Sequence, residues 1–244
     1  MKIAVITPYY KESTEVLQRC HDSVMAQTFG DVTHIMISDG FPNDVVDTWE
    51  NTVHIKVPNH GDYGDTPRAI GGLYASNKEF EAATLLDADN WFAPNHLEVL
   101  SDLQKETGAW VVTGTRWLAR PDESVMAVCT ESDGDKFCDT NCYFIMRPAF
   151  GAFGSWGFKD PKYGIIGDRF FWTRIKTSVE ASKRAHCSIP TTYYQTMFAT
   201  HYLAHKEQPP AGSKVIARLE GHDVPSMLTF EEYRVLLKRA MEQK

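Results

Sequence analysis

Short apolar runs alternate with segments of helical periodicity along the first half of the chain. The run at 3–6 ends in Thr7-Pro8, which is typical of a buried strand in a parallel sheet. Residues 13–27 carry apolar side chains at helical spacing, and Thr66-Pro67 has the N-cap and first-turn residues of another helix. Further strands are predicted at 34–37, 53–57, 82–86 and 109–113, and a further helix at 94–106. This alternation predicts an α/β fold with a mainly parallel sheet between helices.

After about residue 115 the pattern changes. Residues 125–129 and 142–146 indicate strands of a smaller mixed or antiparallel portion, whereas 150–168 is rich in glycine and aromatic residues without a clear period. Thr229-x-x-Glu232 is a capping box that predicts a final amphipathic helix. Because no linker, repeat or low-complexity tract interrupts the chain, we predict a single domain over residues 1–244.

The charge balance argues against one class of partner. The 244 residues carry a formal net charge of −7 and no basic stripe, so we expect no nucleic-acid partner. An anionic ligand would therefore have to be held by local groups, such as a metal ion, a helix N-terminus or a well-placed arginine.

Neither an export signal nor a membrane span is expected. The apolar run near Met1 has only four residues, and no stretch approaches the ~18 apolar residues of a transmembrane helix. The cysteines are odd in number and irregularly spaced, which favours reduced thiols. We therefore expect a cytoplasmic protein.

Polar side chains follow several of the predicted strands. Thr7, Asp39 and the segment Asp87-Ala88-Asp89 all come at strand ends, and in open α/β sheets these ends line one ligand crevice. Residues two apart on a strand share a side, so Asp87 and Asp89 suit a hard divalent cation that prefers oxygen ligands. A solvated turn that caps the next helix is the alternative for this acid pair, but its position after a buried strand favours the metal.

Four segments together resemble family-2 glycosyltransferases. Residues 3–12, an apolar strand followed by Thr-Pro-Tyr-Tyr-Lys-Glu, are similar to the family's first strand, and 21–28 to its "S-(apolar)-x-x-Q-(T/S)" helix end. Residues 35–40 resemble its "(V/I)-D-D-G-S" strand, and 85–90 match its "L-D-A-D-(D/N)" strand. Order and spacing agree across the first half of the chain. The resemblance implies the GT-A fold, a Rossmann-like sheet flanked by helices.

The resemblance also implies roles on the donor side. Asp39 would pair with the nucleotide base, and an acceptor-only carboxylate suits the imide N–H of uracil. Turn chemistry is the alternative for Asp39. Arg68 would bind phosphate at a helix start, although a surface salt bridge fits it equally and the family's "A-R-N-x-G" is altered around it. Asp87 would contact the ribose or the hydration shell of the metal. The residues predicted to bind the nucleotide-sugar are Thr7, Pro8, Tyr9, Asp39, Arg68, Asp87 and Ala88.

The implied metal is Mn²⁺ or Mg²⁺, ligated by Asp89 and shared with Asp87. Many GT-A enzymes complete the metal shell with a late histidine, for which His201 is the candidate and His205 and His222 are alternatives. Four-residue spacing on a helix would let His201 and His205 face one metal. A pair of surface histidines is the other interpretation.

The catalytic base is expected in the second half. Residues 164–174 resemble the family's "G-E-D-x-D-(F/L)-x-x-R" helix start, which places the base at Asp168. There it would deprotonate the acceptor hydroxyl as that hydroxyl attacks, and it could also cap the helix. The glutamate that normally precedes the base is Gly167 here. Trp156 is expected in the core or, alternatively, in the acceptor pocket, and 139–141 lies where family members bind acceptor.

The implied reaction moves a sugar, with inversion, from a nucleotide-diphosphate sugar, preferably a UDP-sugar, to an acceptor hydroxyl. The acceptor, whether saccharide, lipid-linked or small molecule, is not specified. The processive "Q-x-x-R-W" motif is absent, so single additions are expected. The nucleotide-sugar-binding half would be 1–115 and the acceptor-side half 116–244. Two alternatives stay open: a sugar-1-phosphate nucleotidyltransferase, and a catalytically degenerate nucleotide-sugar-binding protein.

Overall fold

The computed structural model describes residues 1–219 and 222–242, which fall into two compact units. The first unit contains Met1–Trp117 and Val128–Tyr194, and the second contains Leu118–Ala127 and the described part of Gln195–Lys244. The single domain over 1–244 stays a prediction, and four of its residues (220, 221, 243 and 244) lie outside the described ranges.

Strands and helices alternate up to about residue 107, and elements of uneven length follow in a less regular order. The strands are β1 (Lys2–Tyr9), β2 (Asp31–Asp39), β3 (Thr52–Val57), β4 (Ala82–Leu85), β5 (Trp91–Phe92), β6 (Val111–Ala119), β7 (Val125–Val128), β8 (Tyr143–Met146), β9 (Arg184–Gln195), β10 (Lys214–Ala217) and β11 (Ser226–Thr229). The helices are α1 (Thr14–Met25), α2 (Asp65–Ser76), α3 (His96–Thr107), α4 (Gly154–Gly157), α5 (Gly167–Ser178), α6 (Ala199–Ala204) and α7 (Phe230–Glu242).

The main sheet has a parallel and an antiparallel part. Its strand order is β3-β2-β1-β4-β8-β6-β9-β5. The first four strands are parallel, whereas β8 is antiparallel to both β4 and β6, and β5 is antiparallel to β9. The predicted α/β fold with a smaller mixed portion is therefore confirmed. The sequence did not predict that β8 lies between β4 and β6, and this insertion brings the segment before β8 beside the end of β4.

The central strand β1 is buried on both faces. Val5 packs with Cys20 and Val24 of α1, whereas Ile6 packs with Ala75 of α2 in a separate cluster. Successive strand residues point to opposite faces, so a continuous apolar run is what a strand between two helical layers requires. Burial of each such aliphatic side chain contributes about 1.5–3 kcal/mol.

Two glycines allow α2 to approach the sheet closely. A Cβ on Gly71 would lie 2.4 Å from Cγ2 of Ile6, and one on Gly72 would lie 2.3 Å from Cβ of Phe153. A larger residue at 71 would push the helix away from β1, and one at 72 would push it away from Phe153. This close packing fixes the position of the first turn of α2, which carries Arg68.

The start of α2 differs from the predicted one. Thr66 is not the N-cap, because the helix already begins at Asp65. The Asp62 carboxylate accepts hydrogen bonds from the Thr66 amide at 2.9 Å and from the Thr66 hydroxyl at 2.5 Å. An acid one turn earlier therefore satisfies the free amide that a threonine cap would have served.

The second unit contains a small antiparallel pair and the final helix. β10 pairs with β11, and the predicted capping box at the start of α7 is confirmed. The Thr229 amide and hydroxyl both donate to Oε2 of Glu232, at 2.8 and 2.9 Å, and the Glu232 amide donates to Oγ1 of Thr229 at 3.2 Å.

The hydrophobicity of the helices and the state of the cysteines were also considered in the sequence. Within the described ranges, no helix combines the length and the apolar character that crossing a membrane requires. Cys20, Cys129, Cys138, Cys142 and Cys187 are all buried with free thiols.

Candidate active site

The strand order places the carboxyl ends of β2, β1 and β4 next to one another at one edge of the sheet. Thr7 and Pro8 lie near the end of the middle strand, Asp39 ends β2, and Asp87 follows β4. The residues that the sequence assigned to one crevice are therefore gathered at one edge, as the topology of an open α/β sheet dictates.

The side chains at the end of β1 are engaged inside the protein. Thr7 is fully buried, with its Oγ1 2.8 Å from Nε2 of His34. The Tyr9 hydroxyl accepts a hydrogen bond from the Asn43 amide at 2.9 Å and lies 2.6 Å from Nε2 of His54. Burial raises the pKa of Tyr9. A contact between this strand end and a ligand therefore falls to the main chain rather than to these two side chains.

Asp39 is anchored by the turn that follows β3. Its Oδ1 accepts a hydrogen bond from the His60 amide at 2.8 Å and lies 3.1 Å from Nδ1 of the same residue. Gly40 has a φ of +85°, and a Cβ on it would come within 2.5 Å of Asn59. This contact joins Asp39 to the segment after β3 and differs from the local turn at 39–42 that the sequence offered as its alternative role. His60 was not found from the sequence.

Arg68 pairs with the first acid of the Asp-x-Asp segment. Its Nη2 lies 2.5 Å from Oδ1 of Asp87, and its Nη1 donates to the Tyr63 carbonyl at 2.9 Å. The guanidinium also lies over the Trp156 ring, with Cζ 5.1 Å from the ring centroid. Because Arg68 is only 8% exposed, the surface salt bridge considered from the sequence is replaced by a largely buried ion pair at the strand ends.

A second group of residues holds Asp87 from the other side. Nδ2 of Asn141 donates to Oδ2 of Asp87 at 3.0 Å and to Oδ1 of Asp139 at 2.8 Å. Oδ1 of Asn141 accepts the Asp87 amide at 2.5 Å. Asp139 in turn forms a buried ion pair with Arg116, whose guanidinium lies 3.9 Å from the Tyr194 ring centroid. The sequence had marked 139–141 only as a possible acceptor segment.

The other two residues of the segment point in different directions. Ala88 is 3% exposed and packs with Tyr9 and Leu17 in a small cluster, so its side chain belongs to the core. Asp89 is exposed, and its carbonyl accepts a hydrogen bond from Nη2 of Arg19 at 2.7 Å. Asp89 is thus the more accessible of the two acids.

Asp168 lies in the first turn of α5, as the sequence predicted. Its Oδ1 accepts the Arg169 amide at 2.7 Å. Burial raises the pKa of the Asp168 carboxyl to about 6 from its ordinary value of 3.8, and the nearby charge of Asp139 acts in the same direction. A carboxyl with a pKa near the working pH is suited to proton transfer.

The place where a side chain on residue 167 would project is filled by other groups. A Cβ on Gly167 would lie 2.7 Å from Oδ1 of Asp65, 2.8 Å from Cζ3 of Trp156 and 3.2 Å from Cε of Lys159. Lys159 and Asp65 form a buried ion pair there. Burial lowers the pKa of Lys159 to about 8. The departure from the family's glutamate therefore has a steric reason. Trp156 itself belongs to the main core cluster.

The candidate histidines lie in the second unit. His201 is in α6, 8% exposed, and its Nδ1 lies 2.7 Å from Oγ1 of Thr196. His205 follows α6 as its C-cap, and His222 is exposed. The predicted helical pair of imidazoles is therefore not formed on one continuous helix, because α6 ends at Ala204.

The donor set at the edge of the sheet suits a hard cation. Asp87 and Asp89 supply carboxylate oxygens, and Mg²⁺ is commonly held by one or two carboxylates together with substrate phosphates and water. In the part of the chain that the structure describes, no cluster of three or more His, Cys, Asp or Glu forms a metal site. The two acids fit a cation whose remaining ligands come from a bound diphosphate.

A family model and a curated relative each match part of the chain. The model of glycosyl transferase family 2 matches residues 4–150. The succinoglycan biosynthesis protein ExoW of Rhizobium meliloti (strain 1021) is 29% identical over 104 residues, which cover 39% of this chain and 32% of that protein.

Solved structures of S. aureus TarS share the fold. One covers 83% of this chain and 38% of TarS, with a TM-score of 0.63 and 12% identity. TarS 1–349 in complex with UDP gives a TM-score of 0.63 at 12% identity, with 80% of this chain and 61% of that one covered. Its complex with UDP-GlcNAc gives 0.62 at 13%, with 80% and 59% covered. The chain thus spans less than two thirds of each of these proteins.

The family model covers more than half of the chain and includes Thr7, Asp39, Arg68, Asp87 and Asp89, whereas Asp168 lies beyond the matched residues. On this evidence the chain belongs to glycosyl transferase family 2.

Proposed function

We propose that this protein transfers a sugar from a UDP-sugar to an acceptor hydroxyl with inversion, one residue at a time. The observation that carries the proposal is the position of Asp39 and Asp87 at the ends of parallel strands on either side of β1, with Arg68 of α2 paired to Asp87. Membership of the family supports the reaction class, and the neighbours of similar fold in complex with UDP and UDP-GlcNAc support the donor class.

The donor would lie across the strand ends. The Asp39 carboxylate accepts the imide N–H of the base, while the turn at His60 fixes its orientation. The main chain at Thr7, Pro8 and Tyr9 lines the base, and Asp87 accepts a ribose hydroxyl. Arg68 is placed to share its guanidinium between Asp87 and the diphosphate, and its position in the first turn of α2 adds the favourable field of a helix N-terminus.

Asp89 is the proposed protein ligand of Mn²⁺ or Mg²⁺, with Asp87 beside it. When bound, such a cation neutralises charge on the departing diphosphate. The exposure of Asp89 supports this role, because a cation that arrives with the nucleotide needs an accessible carboxylate. The late-histidine ligand, for which the family resemblance names His201, stays a prediction.

Asp168 is the proposed base. A carboxylate with a pKa near 6 is mostly ionised at neutral pH and can accept the acceptor's proton as the hydroxyl attacks the anomeric carbon. Inversion, single addition and the identity of the acceptor rest on the family resemblance and on the missing processive motif.

A thermal-shift panel tests the donor assignment. UDP, UDP-GlcNAc, GDP and ADP are added with Mn²⁺ or with EDTA, and the unfolding temperature is measured. UDP with Mn²⁺ should raise the temperature most, because a ligand that binds only the folded state stabilises by about 2.7 kcal/mol at 100-fold over its Kd. Asp39→Asn should reduce the preference for UDP. Absence of any UDP response in Mn²⁺ would refute the donor assignment.

Product analysis separates the open alternatives. A glycosyltransferase releases UDP from the UDP-sugar when acceptor is present, and a nucleotidyltransferase instead releases pyrophosphate from UTP and sugar-1-phosphate. A degenerate binder shows the thermal shift without either product.

A further inference from the structure

Both carboxylate oxygens of Asp87 contact other side chains of the protein. Arg68 contacts Oδ1 at 2.5 Å, and Asn141 contacts Oδ2 at 3.0 Å. The Arg68 contact is an ion pair between the carboxylate and a guanidinium at the end of a long side chain. The Asn141 contact comes from a short side chain that is completely buried.

The Asn141 side chain is hydrogen-bonded through both its nitrogen and its oxygen. Nδ2 donates one hydrogen bond to Asp87 and another to Asp139. The side-chain oxygen, Oδ1, accepts a hydrogen bond from the main-chain amide of Asp87 at 2.5 Å. The Asn141 side chain therefore contacts both the carboxylate and the main-chain amide of Asp87. The reversed amide would place an oxygen between two carboxylates, so the observed orientation is fixed by its neighbours.

The anchor of Asn141 is itself rigid. Asp139 accepts hydrogen bonds from the Asn141 amide at 3.0 Å and from its side chain, and Asp139 is paired with the buried Arg116. Arg116 is 3% exposed and stacks on Tyr194. A chain of buried groups thus runs from Arg116 through Asp139 and Asn141 to Asp87.

Only a neutral side chain with two hydrogens to donate fits between these acids. An aspartate at 141 would repel both neighbours, and a serine could donate to only one of them. Alanine would leave Oδ2 and the amide of Asp87 without their partner.

We infer that Asn141 is a positioning residue that holds the Asp87 carboxylate in the orientation that binds the nucleotide, with the buried Arg116–Asp139 pair as its anchor. This inference rests on the proposed function, in which Asp87 contacts the donor. Asn141 acts through Asp87 and does not itself contact the donor.

A double-mutant cycle tests this inference. The Kd for UDP in saturating Mn²⁺ is measured by calorimetry for the unaltered protein, Asn141→Ala, Asp87→Asn and the double variant. Asn141→Ala should weaken UDP binding by about tenfold or more in the unaltered background. It should change the Kd by less than twofold in the Asp87→Asn background, because two residues that act through one contact are not additive.

The outcomes are distinguishable. Equal weakening by Asn141→Ala in both backgrounds means a general structural role and overturns the inference alone. Absence of Mn²⁺-dependent UDP binding by the unaltered protein overturns the proposed function and this inference with it.

Two further variants separate an effect on UDP binding from a general loss of stability. Asn141→Ser keeps one donor and should lie between the unaltered protein and Asn141→Ala in UDP affinity. Thr84→Val removes a buried hydroxyl on β4, the strand that leads to Asp87, which donates to the Tyr143 carbonyl of β8 at 2.6 Å. It should lower the unfolding temperature while leaving the UDP Kd unchanged. If Thr84→Val weakens UDP binding as much as Asn141→Ala, the inference is wrong.

Discussion

The strand ends and the first turn of α5 hold aspartates in opposite ways. Asp87 has a guanidinium on one oxygen and an amide on the other, and both partners come from distant parts of the chain. Asp168 accepts a hydrogen bond from the amide of the next residue, and its carboxyl is half-buried near the charge of Asp139. The first environment fixes a carboxylate in place, whereas the second raises a pKa. Binding needs the former and proton transfer needs the latter.

The largest expected effect separates these two roles. Asp168→Asn should lower turnover by about 10²–10⁴-fold, the usual contribution of a general base. UDP affinity in Mn²⁺ should be unchanged, because Asp168 is not part of the strand-end group. Steady-state rates and calorimetry measure both quantities. Asp160→Asn, an exposed change just before α5, is the control and should alter neither. If Asp168→Asn lowers the rate and the UDP affinity together, the assignment of binding to Asp87 and of proton transfer to Asp168 is wrong.

A glycine substitution tests how closely the α5 turn is packed. Gly167→Ala should lower the free energy of unfolding by about 1–3 kcal/mol, because its Cβ would meet Asp65 at 2.7 Å and Trp156 at 2.8 Å. Gly151→Ala is the matched control, since a Cβ there meets nothing within 4 Å. Urea unfolding of both variants gives the comparison. Equal stabilities would mean that the missing glutamate has no steric reason.

The pH dependence of turnover should report Asp168. With a pKa of about 6, the rate should fall roughly tenfold from its plateau on going to pH 5, because only about a tenth of the carboxyl is then ionised. A pH–rate profile at saturating donor measures this. If the rate instead falls only near pH 4, the Asp168 carboxyl titrates like an ordinary exposed aspartate and the prediction is wrong.

The same pKa makes a prediction for stability with a definite sign. The folded protein binds the Asp168 proton more tightly than the unfolded chain, whose aspartate has its ordinary value of 3.8. This contribution to stability is present below about pH 4 and is lost as the pH rises to about 6. At pH 7.5, Asp168→Asn should therefore be more stable than the unaltered protein, by about 1–3 kcal/mol.

Local patterns were enough to predict which strand ends carry Thr7, Asp39 and Asp87. The apolar runs before Thr7, Asp39 and Asp87 identify buried strands, and parallel topology then brings their ends together. The partners of these acids could not be predicted in the same way. Asn141 is 54 residues from Asp87, and they meet only because β8 inserts antiparallel beside β4. No periodicity in the sequence encodes that insertion.

In the first turn of α5, the position of Asp168 was predicted from the sequence, but the contacts around Gly167 were not. Asp168 follows a recognisable helix start, but the groups that replace a side chain on Gly167 come from α2 and from the segment after α4. Asp65 and Lys159 carry no local signal of their meeting. A departure from a family motif can therefore be read only when the structure shows what fills the space.

The smallest expected effect concerns Tyr9, which the sequence assigned to the nucleotide site. Its hydroxyl is used by Asn43 and His54, so Tyr9→Phe should cost about 0.5–1.5 kcal/mol of stability and leave UDP affinity unchanged. Tyr10→Phe, at an exposed neighbouring ring, is the control and should change neither. Urea unfolding and calorimetry on the two variants decide the matter. A clear loss of UDP affinity in Tyr9→Phe alone would extend the donor site to this hydroxyl, and the end of β1 would then bind the nucleotide through a side chain as well as through its main chain.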